Sequence, residues 1–237
     1  IGAVDEERES LGARYVAGQY HPAYAIVGEP NRWERIALGY KGAAWARVTL
    51  RRAQAHTASG IQTASEAAVQ LWQAVQAYAA AYNAGKPRAF DQLLPTLRGM
   101  DSGEDGLEQW ARLRIGMRLP VEVPPQDWYA ALAQLAAGAD VEPLGQAVPA
   151  WSCEKNSTLV RAFLSAVRGQ GGAPSFVYKT GTADLNIVAP AWDCPALVYG
   201  PGDSALDHTP EERIELAEYG KAVDVLAAAL RELVKRD

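Results

Sequence analysis

Tyr199-Gly200-Pro201-Gly202-Asp203-Ser204-Ala205-Leu206-Asp207-His208-Thr209-Pro210-Glu211-Glu212 is the stretch that decides how this chain is read. The apolar run Pro195-Ala196-Leu197-Val198-Tyr199 leading into it predicts a buried strand. A long amphipathic helix is expected after it, starting near Glu211, with Ile214 to Leu233 as its body. Gly200-Pro201-Gly202 makes a tight turn, where backbone can come close to a ligand. Asp207-His208 then falls on a loop at the carboxyl end of a strand, where open α/β sheets place their sites. One imidazole just ahead of a carboxylate pair suggests a metal ligand with a supporting acid. The alternative is a surface histidine in a helix-entry loop, with Thr209 as N-cap and Pro210 at the first helical position.

The 237 residues are 49% hydrophobic and 22% charged, enough for a globular core in one domain or two. A formal net charge of -5 gives no overall basic field, so no nucleic-acid partner is expected. No apolar run approaches the roughly 20 residues of a membrane span, so no membrane partner is expected either. Cys153 and Cys194 are far apart in sequence and form no CxxC pair; two lone thiols fit a reducing, cytoplasmic setting. Ile1-Gly2-Ala3-Val4 reads as a central strand cut open at its start, which predicts further sequence upstream.

That opening strand would end in Asp5-Glu6-Glu7. Three adjacent carboxylates repel one another and are costly at a strand end without a cation. A solvated acidic loop ahead of the helix expected over Ser10 to Gln19 is the alternative. His21 reads as a surface residue. Tyr24 to Val27 predicts a second buried strand, ending in Gly28-Glu29-Pro30, with Pro30 holding Glu29 extended. Carboxylates at two strand ends describe an α/β metal site.

Arg35 to Arg52 alternates as a strand pair bent at Gly39 to Gly42. Thr63 to Tyr82 is the clearest helix of this half, with Ala67, Ala68, Leu71, Val75 and Tyr78 on one face. Arg88 to Gly106 is weakly periodic and ends in a polar turn, Asp101 to Gly106. Leu107 to Leu119 predicts a strand, Asp127 to Ala137 a helix and Val141 to Val148 an edge strand. Strand, helix, strand, helix, strand over about 42–149 is a ferredoxin-like α+β pattern inserted between α/β pieces. Asn156 to Arg168 predicts a helix and Phe176-Val177-Tyr178 a strand. The strand runs into Lys179-Thr180-Gly181-Thr182-Ala183-Asp184, whose amides and hydroxyls invite an anion or form a simple turn.

In order, these pieces are strand-DEE, strand-GEP, an inserted domain with a lone histidine loop, a TGTxD loop and a late histidine. That order resembles the dinuclear zinc amidohydrolases and peptidases, which include aminoacylase, acetylornithine deacetylase and succinyl-diaminopimelate desuccinylase. Val27-Gly-Glu-Pro, Gly39-Tyr-Lys-Gly, Ala55-His-Thr-Ala, Lys179-Thr-Gly-Thr-Ala-Asp and the opening stretch look most like hydrolases that free lysine or ornithine from an amino-group carrier protein in lysine and arginine biosynthesis. The resemblance implies an α/β catalytic domain over 1–41 and 150–237, incomplete at its start, with an inserted lid and dimerisation domain over 42–149. It implies Glu6 as general base, Glu7 and His208 as ligands of one zinc and Glu29 as a ligand of the other, with cobalt as an alternative metal. It further implies His56 as the lid histidine that reaches the partner subunit's active site and stabilises the oxyanion. Arg118 would hold a substrate carboxylate, Gly181 and Thr182 would anchor substrate, and Glu212 would support the last ligand. A homodimer formed through the lid helices and an exposed strand near Ala44 to Leu50 is also implied.

The chain departs from the family pattern in one respect: no His-x-Asp occurs, and of the family's ligand positions only Glu7, Glu29 and His208 are present. The expectation is a C-terminal portion that binds zinc weakly and is inactive alone. The expected substrate is a small acidic carrier protein bearing lysine or ornithine. The alternatives are a deacylase of small acyl-amino acids and a non-catalytic dimerisation or binding module.

Overall fold

The computed structural model describes residues 1–235, and the chain divides into two compact units. The first comprises Ile1–Tyr40 and Trp151–Asp237, the second Lys41–Ala150. In chain order the first unit supplies α1 (Leu11–Ala17), β1 (Ala25–Val27) and β2 (Arg35–Tyr40). The second supplies β3 (Gly42–Ala53), α2 (Ala64–Asn83), β4 (Leu94–Glu104), β5 (Glu108–Leu119), α3 (Pro125–Leu135) and β6 (Asp140–Val148). The first then resumes with β7 (Trp151–Ser152), α4 (Thr158–Gly169), β8 (Ser175–Lys179), α5 (Leu185–Trp192), β9 (Ala196–Val198) and α6 (Leu216–Val234).

The first unit is built on a mixed sheet ordered β1-β9-β2-β7, with β8 also paired to β2. β1 runs parallel to β9, Ile26 opposite Leu197, and β8 runs parallel to β2. The carboxyl ends of β1 and β9 therefore share one edge. Helices α4 and α6 cover one face through Ile36, Leu38, Leu159, Phe163, Leu197 and Val225. On the other side Ala37, Leu185, Ala189 and Val198 form a second, smaller cluster.

Three expectations fail in this unit. Ile1–Val4 forms no strand, and Ile1 and Val4 are 86% and 71% exposed. A strand needs a ladder partner, and this segment instead lies on the first turn of α1, where the Gly12 amide donates to the Val4 carbonyl at 3.0 Å. A Cβ at Gly12 would meet Val4 nitrogen at 2.4 Å, so glycine there is what admits the segment. Second, α6 begins at Leu216, not near Glu211, and neither Thr209 nor Pro210 starts it; the N-cap is Glu215. The Thr209 hydroxyl is bonded to the Leu206 carbonyl at 2.7 Å, within the loop. Third, Arg35–Arg52 is not a pair of mutually bonded strands: β2 and β3 belong to different sheets.

The second unit is a four-stranded antiparallel sheet ordered β4-β5-β3-β6. With α2 and α3 in the chain order β-α-β-β-α-β, this is the ferredoxin-like arrangement. The helices cover the face bearing Ala44, Ala46, Val48, Leu113 and Ile115. α2 opens with a capping box in which Thr63 and Glu66 satisfy each other's backbone amides. β4 occupies residues read from sequence as aperiodic and as a turn. Gly99 and Gly103 mask its alternation, yet the missing Cβ of Gly103 is filled by the Trp110 ring, 2.7 Å from where a Cβ would stand. The actual turn is Asp105-Gly106-Leu107, with Gly106 at φ 90. Residues Ala44 to Leu50 lie in an interior strand flanked by β5 and β6, so they offer no free edge; the edges are β4 and β6. Lys41 is fully buried, and its Nζ donates to the carbonyls of Ala89 at 3.2 Å, Phe90 at 3.0 Å and Gln92.

Candidate active site

Glu29 follows β1, and the loop that carries it is fixed to the loop after β9. The Asn31 amide donates to the Gly200 carbonyl at 3.1 Å and the Arg32 amide to the Gly202 carbonyl at 2.7 Å. Arg32 pairs with Asp203. A Cβ at Gly200 would stand 2.6 Å from the Glu29 carbonyl oxygen, so the close approach of the two loops requires glycine. At the end of β8, Lys179 Nζ donates to the Pro30 carbonyl at 3.0 Å and to the Ser204 hydroxyl, tying the same two loops together.

His208 sits in the left-handed region at φ 60, and its amide donates to a Glu212 carboxylate oxygen at 3.2 Å. Asparagine, aspartate and histidine tolerate this region better than most residues, and the bond to Glu212 helps to fix the backbone there. The imidazole Nε2 lies 3.7 Å from a Glu7 carboxylate oxygen. Glu212 thus acts on the histidine backbone rather than on its ring.

Glu6, Glu29 and Asp184 line one cavity of about 560 Å³, together with Val27, Val188 and Trp192. Burial pushes the Glu29 carboxyl up to about 7, and the charges of Glu6, Asp184, Glu7 and Asp207 push the same way. Glu6 is raised by burial, then by Glu7 and Asp184, with His208 opposing. Asp184 is raised by burial, against a hydrogen bond from Ser10, and its Oδ1 is buried without a hydrogen-bond partner. The Tyr40 hydroxyl is raised by burial and by Glu29, Glu6 and Asp207. Acids gathered in one another's field, one with an orphaned buried oxygen, are unfavourable without a positive charge among them.

A divalent cation matches that donor chemistry: hard carboxylate oxygens and one imidazole. Among the described residues no three histidine, cysteine, aspartate or glutamate side chains form a common metal-holding group.

The site residues expected from sequence divide between the units. Glu6, Glu7, Glu29 and His208 all belong to the first unit. Gly181 and Thr182 lie in the loop after β8, where the Ala183 amide donates to Asn186 Oδ1 at 3.0 Å. Asn186 Nδ2 in turn reaches the Tyr40 carbonyl at 3.4 Å. His56 and Arg118 belong to the second unit. His56 is exposed at the start of a 3-10 turn, and its Nδ1 accepts the Ala58 amide at 3.1 Å. That bond leaves the proton of a neutral ring on Nε2, as a donor. Arg118 is half-buried on β5. Sequence reasoning missed Asp184 and Tyr40. Asp184 resembles a helix cap, although it makes no capping bond to α5, and its burial was not readable from the TGTxD motif.

Comparison with known proteins identifies the family. The model of Peptidase family M20/M25/M40 matches residues 1–232. The chain belongs to that family. Among M20 relatives, a [LysW]-lysine hydrolase from Deinococcus radiodurans is 44% identical over 240 residues, 99% of this chain and 66% of that protein. A putative [LysW]-lysine/[LysW]-ornithine hydrolase from Pyrococcus furiosus is 35% identical over 100% of this chain and 66% of its own length. This chain therefore spans about two thirds of the length of the curated relatives it matches. Among solved structures, the aminopeptidase PepT from Bacillus cereus superposes with a TM-score of 0.76 at 18% identity, covering 98% of this chain and 63% of that one. An M20 metallo-carboxypeptidase from Sulfolobus solfataricus gives 0.71 at 15% identity, covering 95% and 68%. These likenesses show the M20 α/β fold.

Proposed function

We propose that this chain carries part of the active site of a metal-dependent amide hydrolase that releases lysine or ornithine from the C-terminal glutamate of an amino-group carrier protein. The observation that carries the reading is the acid cluster around Glu29, with the Glu7–His208 pair at its side. The names of the relatives in the family supply the substrate. Glu7 and His208 would hold one ion and Glu29 a second, zinc or cobalt. Such an ion supplies Lewis acidity, lowering the pKa of a water and polarising the amide carbonyl.

The chain's own residues do the rest. Glu6, raised by burial and by its acidic neighbours, takes the proton from the attacking water and delivers it to the leaving amine. His56 would offer its Nε2–H to the oxyanion developing in the partner subunit's active site, a role typically worth a few kcal/mol. Arg118 holds a substrate carboxylate, while Gly181 and Thr182 anchor the substrate beside Asp184. Glu212 keeps the His208 backbone in its left-handed conformation. The second unit acts as lid and dimerisation domain, with the edge strands β4 and β6 available for pairing.

The test is amine release from carrier-bound lysine, carrier-bound ornithine and N-acetylornithine, with zinc or cobalt supplied. Faster release from a carrier substrate supports the reading. Faster release from N-acetylornithine makes the protein a small-substrate deacylase, and bound metal with no release from any substrate makes it a binding module.

A further inference from the structure

We infer that Asp184 is a positioning residue that holds the turn bearing Glu6 and Glu7 through the hydroxyl of Ser10. Ser10 stands at the N-cap of α1 and Asp184 at the N-cap of α5. Serine and aspartate at that position ordinarily accept a bond from an amide of their own helix's first turn. Neither side chain does so here. The Ser10 hydroxyl instead donates to the Asp184 carboxylate. Each helix forgoes a cap that its own sequence supplies, and the two cap residues bond to each other where α1 packs against α5. A hydroxyl on an ionised carboxylate makes one of the stronger hydrogen bonds.

The backbone of Ser10 shows which way the bond acts. An N-cap residue is normally extended, yet Ser10 lies in the left-handed region at φ 51 and ψ 40. Serine seldom enters that region. In this conformation it closes the turn behind it. The Ser10 and Arg8 amides both donate to the Asp5 carbonyl, at 2.8 and 3.2 Å, and the Glu9 amide donates to the Asp5 carboxylate at 3.2 Å. Asp5 is itself left-handed at φ 67. Glu6 and Glu7 therefore sit between two residues held in an unfavourable conformation, and Ser10 is the one tied to something outside the turn.

The other end of the tie is firm. Asp184 is 8% exposed. The residue before it donates its amide to Asn186 Oδ1 at 3.0 Å, and Asn186 Nδ2 reaches the Tyr40 carbonyl on β2 at 3.4 Å. The acidic turn is the guided part and the loop after β8 the guide. Glu6 and Asp184 line the same cavity, and by charge alone they would push apart. The Ser10 bond attaches the segment that carries Glu6 to the acid that repels it. For Glu6 as base and Glu7 as ligand the inference rests on the function proposed above; for the tie itself it rests on the two cap residues alone.

The test is hydrogen exchange of the full, metal-free chain, read as protection of the Arg8, Ser10 and Gly12 amides, together with cobalt(II) titration. Ser10→Ala removes the hydroxyl and no helix cap. It lowers protection of these amides about tenfold and weakens cobalt binding about fivefold, with the thermal melt nearly unchanged. Asp184→Ala does the same, and the double variant adds nothing to the larger single effect. Asp184→Asn keeps an oxygen that accepts the hydroxyl and retains the protection. In turnover, Ser10→Ala lowers kcat about tenfold and leaves KM within about twofold, because the base is displaced and the substrate anchors are not. Wild-type protection in Ser10→Ala, effects that multiply in the double variant, Asp184→Asn as unprotected as Asp184→Ala, or a raised KM at unchanged kcat each overturns the inference. Exchange needs neither metal nor turnover. A chain that releases no amine from any substrate refutes the hydrolase reading and leaves the tie to be decided by exchange.

Discussion

Nε2 of His208 lies 3.7 Å from a carboxylate oxygen of Glu7, although both side chains are 73% exposed. An exposed pair of this kind adds little to stability. Two zinc ligands with bonds near 2.1 Å and a tetrahedral angle stand roughly 3.4 Å apart, so a small closure would set both on one ion.

If they share an ion, each substitution should matter for binding and not for folding. His208→Ala and Glu7→Ala are each expected to lower cobalt(II) affinity at least tenfold, with the thermal melt nearly unchanged. The double variant should lose less than the product of the two. Calorimetric titration and the visible cobalt spectrum read this out, and wild-type affinity in either single variant would separate the pair from metal binding.

Glu6 is assigned proton transfer and Glu7 a ligand role, although they are adjacent. Glu6→Gln should lower hydrolysis by about 10²-fold while leaving metal content intact. Parallel loss of metal and activity, measured by elemental analysis and amine release, would reassign Glu6 as a ligand.

Gly200 is set against backbone, not against a flexible side chain: a Cβ there meets the Glu29 carbonyl oxygen at 2.6 Å. Gly200→Ala must displace the Glu29 loop. The expected cost is about 1–3 kcal/mol in the first unit, read by urea denaturation, with weakened metal binding.

Lys41 offers a test independent of the site. Burial lowers its ammonium to about 8, against an ordinary value of 10.5. Between these values the unfolded chain holds the proton that the folded chain has released. The lysine's destabilising contribution is therefore full below about pH 8 and is relieved as pH rises towards 10.5. Lys41→Met should remove that rise, seen as the wild-type minus variant difference in unfolding free energy across the window. The substitution also orphans the carbonyls of Ala89, Phe90 and Gln92, a cost of about 1–3 kcal/mol that does not change with pH and offsets the gain from removing a buried charge at neutral pH.

Local pattern carried much of this protein. Helix α2 was readable because Ala67, Ala68, Leu71 and Val75 recur at helical spacing. β5 was readable from its alternation, and the loops of Glu29 and His208 from the glycines and prolines around them. β4 was not, because its periodicity is completed by Trp110 of the neighbouring strand. The opening segment was misread for the converse reason: Ile1–Val4 has a strand's composition but no strand beside it to bond.

Residue types and their order determined by themselves that acids fall beside strand ends and a histidine beside a late one, an order that resembles a hydrolytic α/β family, because chain order and motif spacing are properties of a single strand of text. Only the tertiary structure decided that Asp184 and Tyr40 join those acids and that Glu29 is pushed to about 7. Burial and charge–charge repulsion depend on distances through space, and those are fixed only when β1 pairs with β9 and β3 with β5.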